Sequence, residues 1–448
     1  MRKYFEGHSL TGVVIILAVF SFAVALRFFD ISSQSPWMDE LASWWYMRNL
    51  GEVWGRESHS PLYYAILRIF TGESDIGTLR IFTATVSVIH LIECFFLGQL
   101  AFSKKHFLIF WILICLNPAD IVYARMARHY SWLFEGILVY YLLWRIKAPL
   151  WMQAMTGAFM GFIHVFAVIP VGLLALYRFW QERNKKYLAV MLVSTNLIIV
   201  YYILRIIFLG HEQVSVNVSW NAQTLVNFWS SIVTQFLGDA YPRFEYFPVR
   251  FWEAFLVVAP TSLWAFYKRR ESGILFASVA IASLLVIEVL GMWLNLRVCR
   301  YVIYLIGFWF VAFVDSIDDV KDWQIYSVLA AVSTFLLLHN PLTSFPFERE
   351  KVGEWKSYSA NFPDTQRLVC ANNYQVEYFE LNAQLPCNRA VTLVDYSQPL
   401  ILFDLNNCQK FVSVFLSNLM DVKEIKDLKT GSITYFEPKK SENGKAKK

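Results

Sequence analysis

The chain has 448 residues, of which 56% are hydrophobic, 17% aromatic and only 17% charged, with a mean hydropathy of +0.41. Soluble domains carry about 25% charged residues, so this composition excludes an ordinary soluble enzyme and points to a polytopic membrane protein. The net charge of +5, from 40 basic and 35 acidic residues, is too small for a nucleic-acid partner, and the basic residues form short clusters between apolar runs, as topology determinants do.

In chain order, the first apolar run covers 10–29, after MRKYFEGHSL. It lacks an A-x-A-like cleavage site and reads as a retained span. Further runs cover 79–102, 107–124, 131–146, 151–179, 187–209, 251–267, 273–294, 299–315 and 323–340. The run 151–179 is too long for one untilted span and contains Gly157, Gly161, His164 and Pro170. A break near His164 makes it two short helices and brings the total to about eleven spans. With the N-terminus inside, the clusters Arg2/Lys3, Lys104/Lys105, Arg145/Lys147, Arg183/Lys185/Lys186 and Lys268/Arg269/Arg270 then share the cytoplasmic side. The loop 316–322 is acidic and does not fit that pattern.

Three sizeable pieces remain outside: 30–78, 210–250 and 341–448. From Phe345 the chain is polar, with strand-like runs RLVCA (367–371) and AVTLVDY (390–396) between turn clusters. The expected organisation is therefore a membrane domain over 1–344, a small α+β extracytoplasmic domain over 345–438 and a disordered tail over 439–448. Cys94, Cys115 and Cys299 sit in or beside apolar runs as packing residues. Cys370, Cys387 and Cys408 allow one disulfide with one thiol left over, and the sequence does not choose the pair.

Four polar constellations stand on the predicted outer side. In SSQSPWMDELASWW, Asp39 and Glu40 are adjacent acids among Trp37, Trp44, Trp45 and Tyr46, rings suited to headgroup depth. They fit a solvated juxtamembrane loop or a general base. In ESHSPLYYAILRIF, His59 precedes Tyr63 and Tyr64 and a helix able to lie in the membrane plane. His59 fits a surface or capping histidine, or a group that binds phosphate or orients an acid. In PADIVYARMARHYSW, Arg125 and Arg128 are three apart, as on one helix face, with Tyr130 beyond them. Arginine forks suit phosphate oxygens, and the alternative is pairing with Asp120 or Glu135. In NLRVCRYVIYL, Arg297 and Arg300 repeat that spacing on the same side. Arg80, Glu93, Glu288 and His164 are weaker intramembrane candidates. A Walker A loop, a Rossmann glycine pattern and HExxH are all absent from the sequence, which disfavours nucleotide-driven chemistry or a zincin. The adjacent acids could hold Mg²⁺ or Mn²⁺, but no complete ligand set is visible, so neither metal nor cofactor is expected.

WMDE at 37–40, HSPLYY at 59–64 and ARMARHY at 124–130, in that order, resemble membrane glycosyltransferases of the GT-C fold. The nearest branch is the dolichyl-phosphate-mannose-protein mannosyltransferase-like group, which includes the lipid A aminoarabinose transferases. The resemblance covers about 10–210 well and 250–340 loosely. It implies an all-α polytopic GT-C domain and inverting transfer of a sugar from a polyprenyl-phosphate donor to a glycan, lipid or protein acceptor. The reaction would occur at the outer face of a bacterial inner membrane. It implies Asp39 as base and Glu40 as its helper. Arg125 and Arg128 would lie near the donor with Tyr63 and Tyr130, and Arg297 and Arg300 would meet the lipid phosphate. The role of His59 stays open. Two rivals remain: an O-antigen ligase or polymerase using a lipid-diphosphate donor, and a lipid-linked sugar flippase or transporter. A transporter should show paired halves with broken helices at the midplane, and no such symmetry is visible.

Overall fold

The computed structural model describes residues 9–32, 38–56, 60–209, 232, 247–268, 270–291, 299–338, 366–370, 400–404, 420–428 and 431–438. His59, Trp37, Arg297, Cys387, Cys408 and the run 390–396 lie outside the described residues. The chain divides into two compact units, one of residues 1–32 and 46–346, the other of 33–45 and 347–448.

The first unit is helical. Its elements are α1 (Leu10–Phe28), then α2 (Met38–Arg48), whose first eight residues belong to the other unit, α3 (Leu50–Arg56), α4 (Leu62–Thr71), α5 (Ile76–Ala101), α6 (Lys104–Cys115), α7 (Pro118–Ala124), α8 (Tyr130–Arg145), α9 (Leu150–Ile163), α10 (Val168–Glu182), α11 (Lys186–Leu209), α12 (Phe247–Lys268), α13 (Arg270–Gly291), α14 (Tyr304–Asp315) and α15 (Asp322–Leu338). Among the described residues, Leu10–Phe28, Ile76–Ala101, Val165–Glu182 and Glu271–Glu288 are each long and apolar enough to cross a bilayer. Leu17, Phe22, Ile89, Ile281 and Leu285 are exposed, the pattern of helices solvated by lipid. The chain is an integral membrane protein.

The apolar run 107–124 is not one unbroken helix. The run bends by 50° between α6 and α7. Pro118 has no N–H to continue the helix, and the Asn117 side chain caps a new one by accepting from the Asp120 amide at 2.9 Å.

The run 151–179 breaks at His164. This residue is extended (φ −153°), and its Nδ1 accepts from the Phe166 amide, opening a 3₁₀ turn over Val165–Ala167 that leads into α10. The segment then returns to its starting end. Lys147, before α9, pairs with Glu182 at the end of α10 at 3.2 Å, and Arg178 of α10 donates to the Trp144 carbonyl at 2.7 Å.

The end of α14 and the acidic loop after it meet the basic clusters. Asp315 binds the Arg145 fork at 2.6 and 2.8 Å. Asp318 pairs with Lys268 at 3.1 Å and Asp322 with Lys105 at 2.8 Å. These pairs gather the ends of α5, α8, α10, α12 and α14 and the starts of α6, α9 and α15 at one rim. A cavity of about 770 Å³ opens there, lined by Arg145, Arg178, Lys268, Glu271, Ser272 and Asp315 among others.

The other unit carries a four-stranded sheet of β1 (Gln366–Cys370), β2 (Leu400–Asp404), β3 (Met420–Leu428) and β4 (Gly431–Pro438), in the order β1-β2-β4-β3. β1 and β2 are parallel, with Gln366 opposite Leu400. The β2–β4 and β3–β4 pairs are antiparallel, with an irregularity between Val422 and Glu424.

Candidate active site

Asp39 and Glu40 occupy the first turn of α2, where the unsatisfied amides of a helix start favour negative charge. Asp39 is half-buried and Glu40 buried, and the Ser43 hydroxyl donates to the Asp39 carbonyl at 3.2 Å. Trp44, Trp45 and Tyr46 are buried, which corrects the expectation of rings displayed at headgroup depth: α2 turns them into protein. Both acids belong to the unit of 33–45 and 347–448. The remaining geometry concerns the helical unit.

Arg125 and Arg128 do not share a helix face. α7 ends at Ala124, and 125–129 is a tight turn before α8, so the two guanidinium groups diverge. Arg125 is 1% exposed and donates through Nη1 to the carbonyls of Leu26 and Phe29, both at 2.7 Å, capping the end of α1. Arg80 serves the same chain end, donating to the Ile31 carbonyl at 3.2 Å. Nε and Nη2 of Arg125 are buried with no acceptor among the described residues. Burial first, and then the neighbouring Arg80, lower its pKa to about 10, which leaves it cationic at neutral pH. Buried donors aimed at no protein acceptor are expensive unless an anion fills them.

Arg128 lies between two phenols. Its Nη1 donates to Tyr64 Oη at 3.2 Å and Nη2 to Tyr130 Oη at 3.4 Å, with the guanidinium 5.5 Å from the Tyr130 ring centre. From there a chain of rings crosses the unit. Tyr63 meets Tyr64 at 5.3 Å, Trp132 at 5.1 Å and His129 at 5.1 Å. His129 meets His164 at 5.1 Å, and His164 meets Tyr301 at 4.9 Å. All are buried. The Ser60 hydroxyl, next to His59, donates to the Phe162 carbonyl and ties that loop to the last turn of α9. Thus Tyr63, Arg125, Arg128 and Tyr130 gather where α1, α4, α5, α7, α8 and α9 end or begin. The 3₁₀ turn Cys299–Val302, which carries Arg300, joins them through Tyr301. Side-chain geometry is described for Tyr301 but not for Arg300.

Sequence reasoning did not single out His129 or Tyr301, although each stands beside a residue that it did. His164 was read as a helix break and becomes part of the ring chain. Asp120 and Glu135, the alternative partners of the outer arginines, are taken instead by Arg27. The legible signal was an arginine inside the first apolar run.

The cavity at the lysine-rich rim is a poorer candidate. Arg145 is neutralised by Asp315, Arg178 by Glu182 at 3.2 Å and Lys268 by Asp318. Among the described residues, no three His, Cys, Asp or Glu side chains gather into a metal-ligand set.

No known protein family matches the sequence, and no curated protein is detectably similar to it. Among solved structures, the chain is similar to the crystal structure of ArnT from Cupriavidus metallidurans bound to undecaprenyl phosphate. Identity is 12%, the TM-score is 0.43, and the match covers 95% of this chain and 98% of that one.

Proposed function

We propose that the chain is an inverting glycosyltransferase that moves a hexosyl or pentosyl group from a polyprenyl-phosphate donor to an acceptor at the extracytoplasmic face of the inner membrane. About eleven spans would place the C-terminal unit on that face. The observation that carries this reading is the buried Arg125 guanidinium, whose Nε and Nη2 find no acceptor among the described residues, beside Arg80, Asp30 and the Arg128 turn. A sugar phosphate supplies the anion for such a group, and the hydroxyls of Tyr64 and Tyr130 hold the neighbouring Arg128.

In the reaction, ionised Asp39 accepts the proton of the acceptor hydroxyl as its oxygen attacks the anomeric carbon. The bond from that carbon to the phosphate oxygen breaks on the opposite side, and polyprenyl phosphate departs with the electron pair. One carboxylate suffices because the leaving group needs no proton, unlike the two-acid arrangement of glycosidases. Arg125 and Arg128, with Arg297 and Arg300, stabilise the charge that grows on the phosphate. Glu40 assists by orienting the acceptor or the aromatic loop.

Purified protein incubated with defined polyprenyl-phosphate sugars should release free polyprenyl phosphate, read by mass spectrometry. Asp39→Asn should cut that release by about 100-fold or more while donor binding persists. Transfer at the ordinary rate by the Asp39→Asn protein would remove Asp39 from the mechanism, and is what a lipid-diphosphate ligase predicts.

A further inference from the structure

A second polar cluster lies in the helical unit behind the helix ends that carry the candidate site. Arg27 of α1, Ser87 of α5, Asp120 of α7 and Glu135 of α8 are each 0% exposed. Nη2 of Arg27 meets Asp120 Oδ2 at 2.5 Å and Glu135 Oε1 at 3.6 Å. Its Nε donates to Ser87 Oγ at 2.8 Å, and the Ser87 hydroxyl donates onward to Glu135 Oε1 at 2.6 Å. Its Nη1 donates to the carbonyls of Ala23 and Cys115, both at 3.2 Å, the second lying at the bend between α6 and α7. Oδ1 of Asp120 and Oε2 of Glu135 receive no donor among the described residues, and the two carboxyl groups lie within hydrogen-bonding reach of one another.

One guanidinium facing two carboxylates leaves a net negative charge sealed from water. Burying an uncompensated charge is costly enough that such a group takes up a proton instead. The bonding pattern says which one. Asp120 forms the short charge pair, so it is the anion. Glu135 Oε1 accepts from Ser87, so its proton belongs on Oε2, from which it can donate to the Asp120 carboxylate within reach. The other titratable groups facing the cluster are Cys94 and His90 of α5 and Cys115 of α6. His90 is turned to Glu93 at 2.9 Å, so it offers no free cation to balance the second carboxylate.

We propose that Arg27, Ser87, Asp120 and Glu135 form a buried proton-holding site in which neutral Glu135 donates to ionised Asp120. The site fastens α1, which leads to the acidic pair, to α7 and α8, which flank the turn 125–129. The proton assignment stands apart from the proposed sugar transfer; only its consequence for placing that turn rests on the transferase reading.

The test uses full-length protein in lipid nanodiscs at neutral pH, with infrared spectra of the protonated carboxylic-acid carbonyl and thermal melting. Glu135→Gln should abolish the acid band while the amide replaces the lost donor, leaving the melting temperature within about 2 °C of the parent. Asp120→Asn should also abolish the band, because Glu135 then ionises to face Arg27, and should melt lower. Arg27→Met should roughly double the band, since both acids then need protons; if that variant does not fold, the first two decide. An unchanged band in the Glu135→Gln protein, or melting as low as that of Asp120→Asn, would overturn the proposal. Neither readout involves a sugar donor, so failure of the transferase reading leaves them intact.

Discussion

Two arginines separated by two residues meet different partners. Arg125 closes the end of α1 with two donors that meet no acceptor among the described residues, while Arg128 is held by the Tyr64 and Tyr130 hydroxyls. Arg125→Lys retains a charge that can still reach the α1 carbonyls but loses the second edge of the fork. Donor affinity should fall by about 10- to 100-fold with little loss of stability, taking a charge-assisted hydrogen bond at about 1.5–3 kcal/mol. Titration with a polyprenyl-phosphate sugar checks this, and unchanged affinity would show that Arg125 serves α1 alone. Tyr64→Phe removes an acceptor for Arg128. It should cost about 1 kcal/mol of stability, visible as a small drop in melting temperature. The sequence made both arginines conspicuous because basic residues on the predicted outer side defy the usual bias. It could not show their divergence, which follows from where α7 stops. Arg27 was legible in principle as a charge within an apolar run, but its two acid partners lie 93 and 108 positions away and only packing pairs them.

Among the elements, the hairpin of α9 and α10 is the least ordinary. Each arm is only about half the length of α5, and both lean on α11. A Cβ at Gly157 would lie 2.8 Å from Ser194 Oγ and 2.9 Å from Val171 Cγ1, so a side chain there must push α9 away from α10 and α11. Gly157→Val should destabilise the protein by about 1–3 kcal/mol, as overpacking of tight cores does, and lower its melting temperature. A neutral outcome would mean that the arms separate freely. His164 stands at the apex, so a shift of this hairpin would also displace the ring chain to His129 and Tyr301. The break was readable from an apolar run too long for one crossing, with glycines and a proline inside it. The bend at Asn117 carried an equally plain signal, a capping residue before a proline, but the unbroken apolar character of 107–124 concealed it.

At the scale of the whole molecule, helix positions were legible because apolar runs bounded by charge have little alternative in a bilayer. The sheet of the other unit was foreshadowed at β1 by RLVCA, whereas its strand order depends on long-range pairing that no local pattern encodes. The loop 316–322, inert in the topology count, and Asp315 just before it acquire their meaning in the fold. The Arg145–Asp315 pair is partly shielded, with side chains 27% and 16% exposed. Asp315→Asn should therefore destabilise by about 1–3 kcal/mol, less than a fully buried pair, with the loss read by thermal melting. It should leave orientation unchanged, because acids contribute little to that choice; altered accessibility of a cysteine tag at Lys147 would contradict this.

That rim has a consequence in time. Arg145 emerges 170 residues before the carboxylate that will hold it, so during synthesis it is a bare cation available to steer insertion. Once α14 and α15 arrive, the same charge is answered within the protein, and the finished rim shows far less of it. One set of side chains thus works first as an address and later as a fastening, and a late truncation would leave the address readable on a molecule that cannot close.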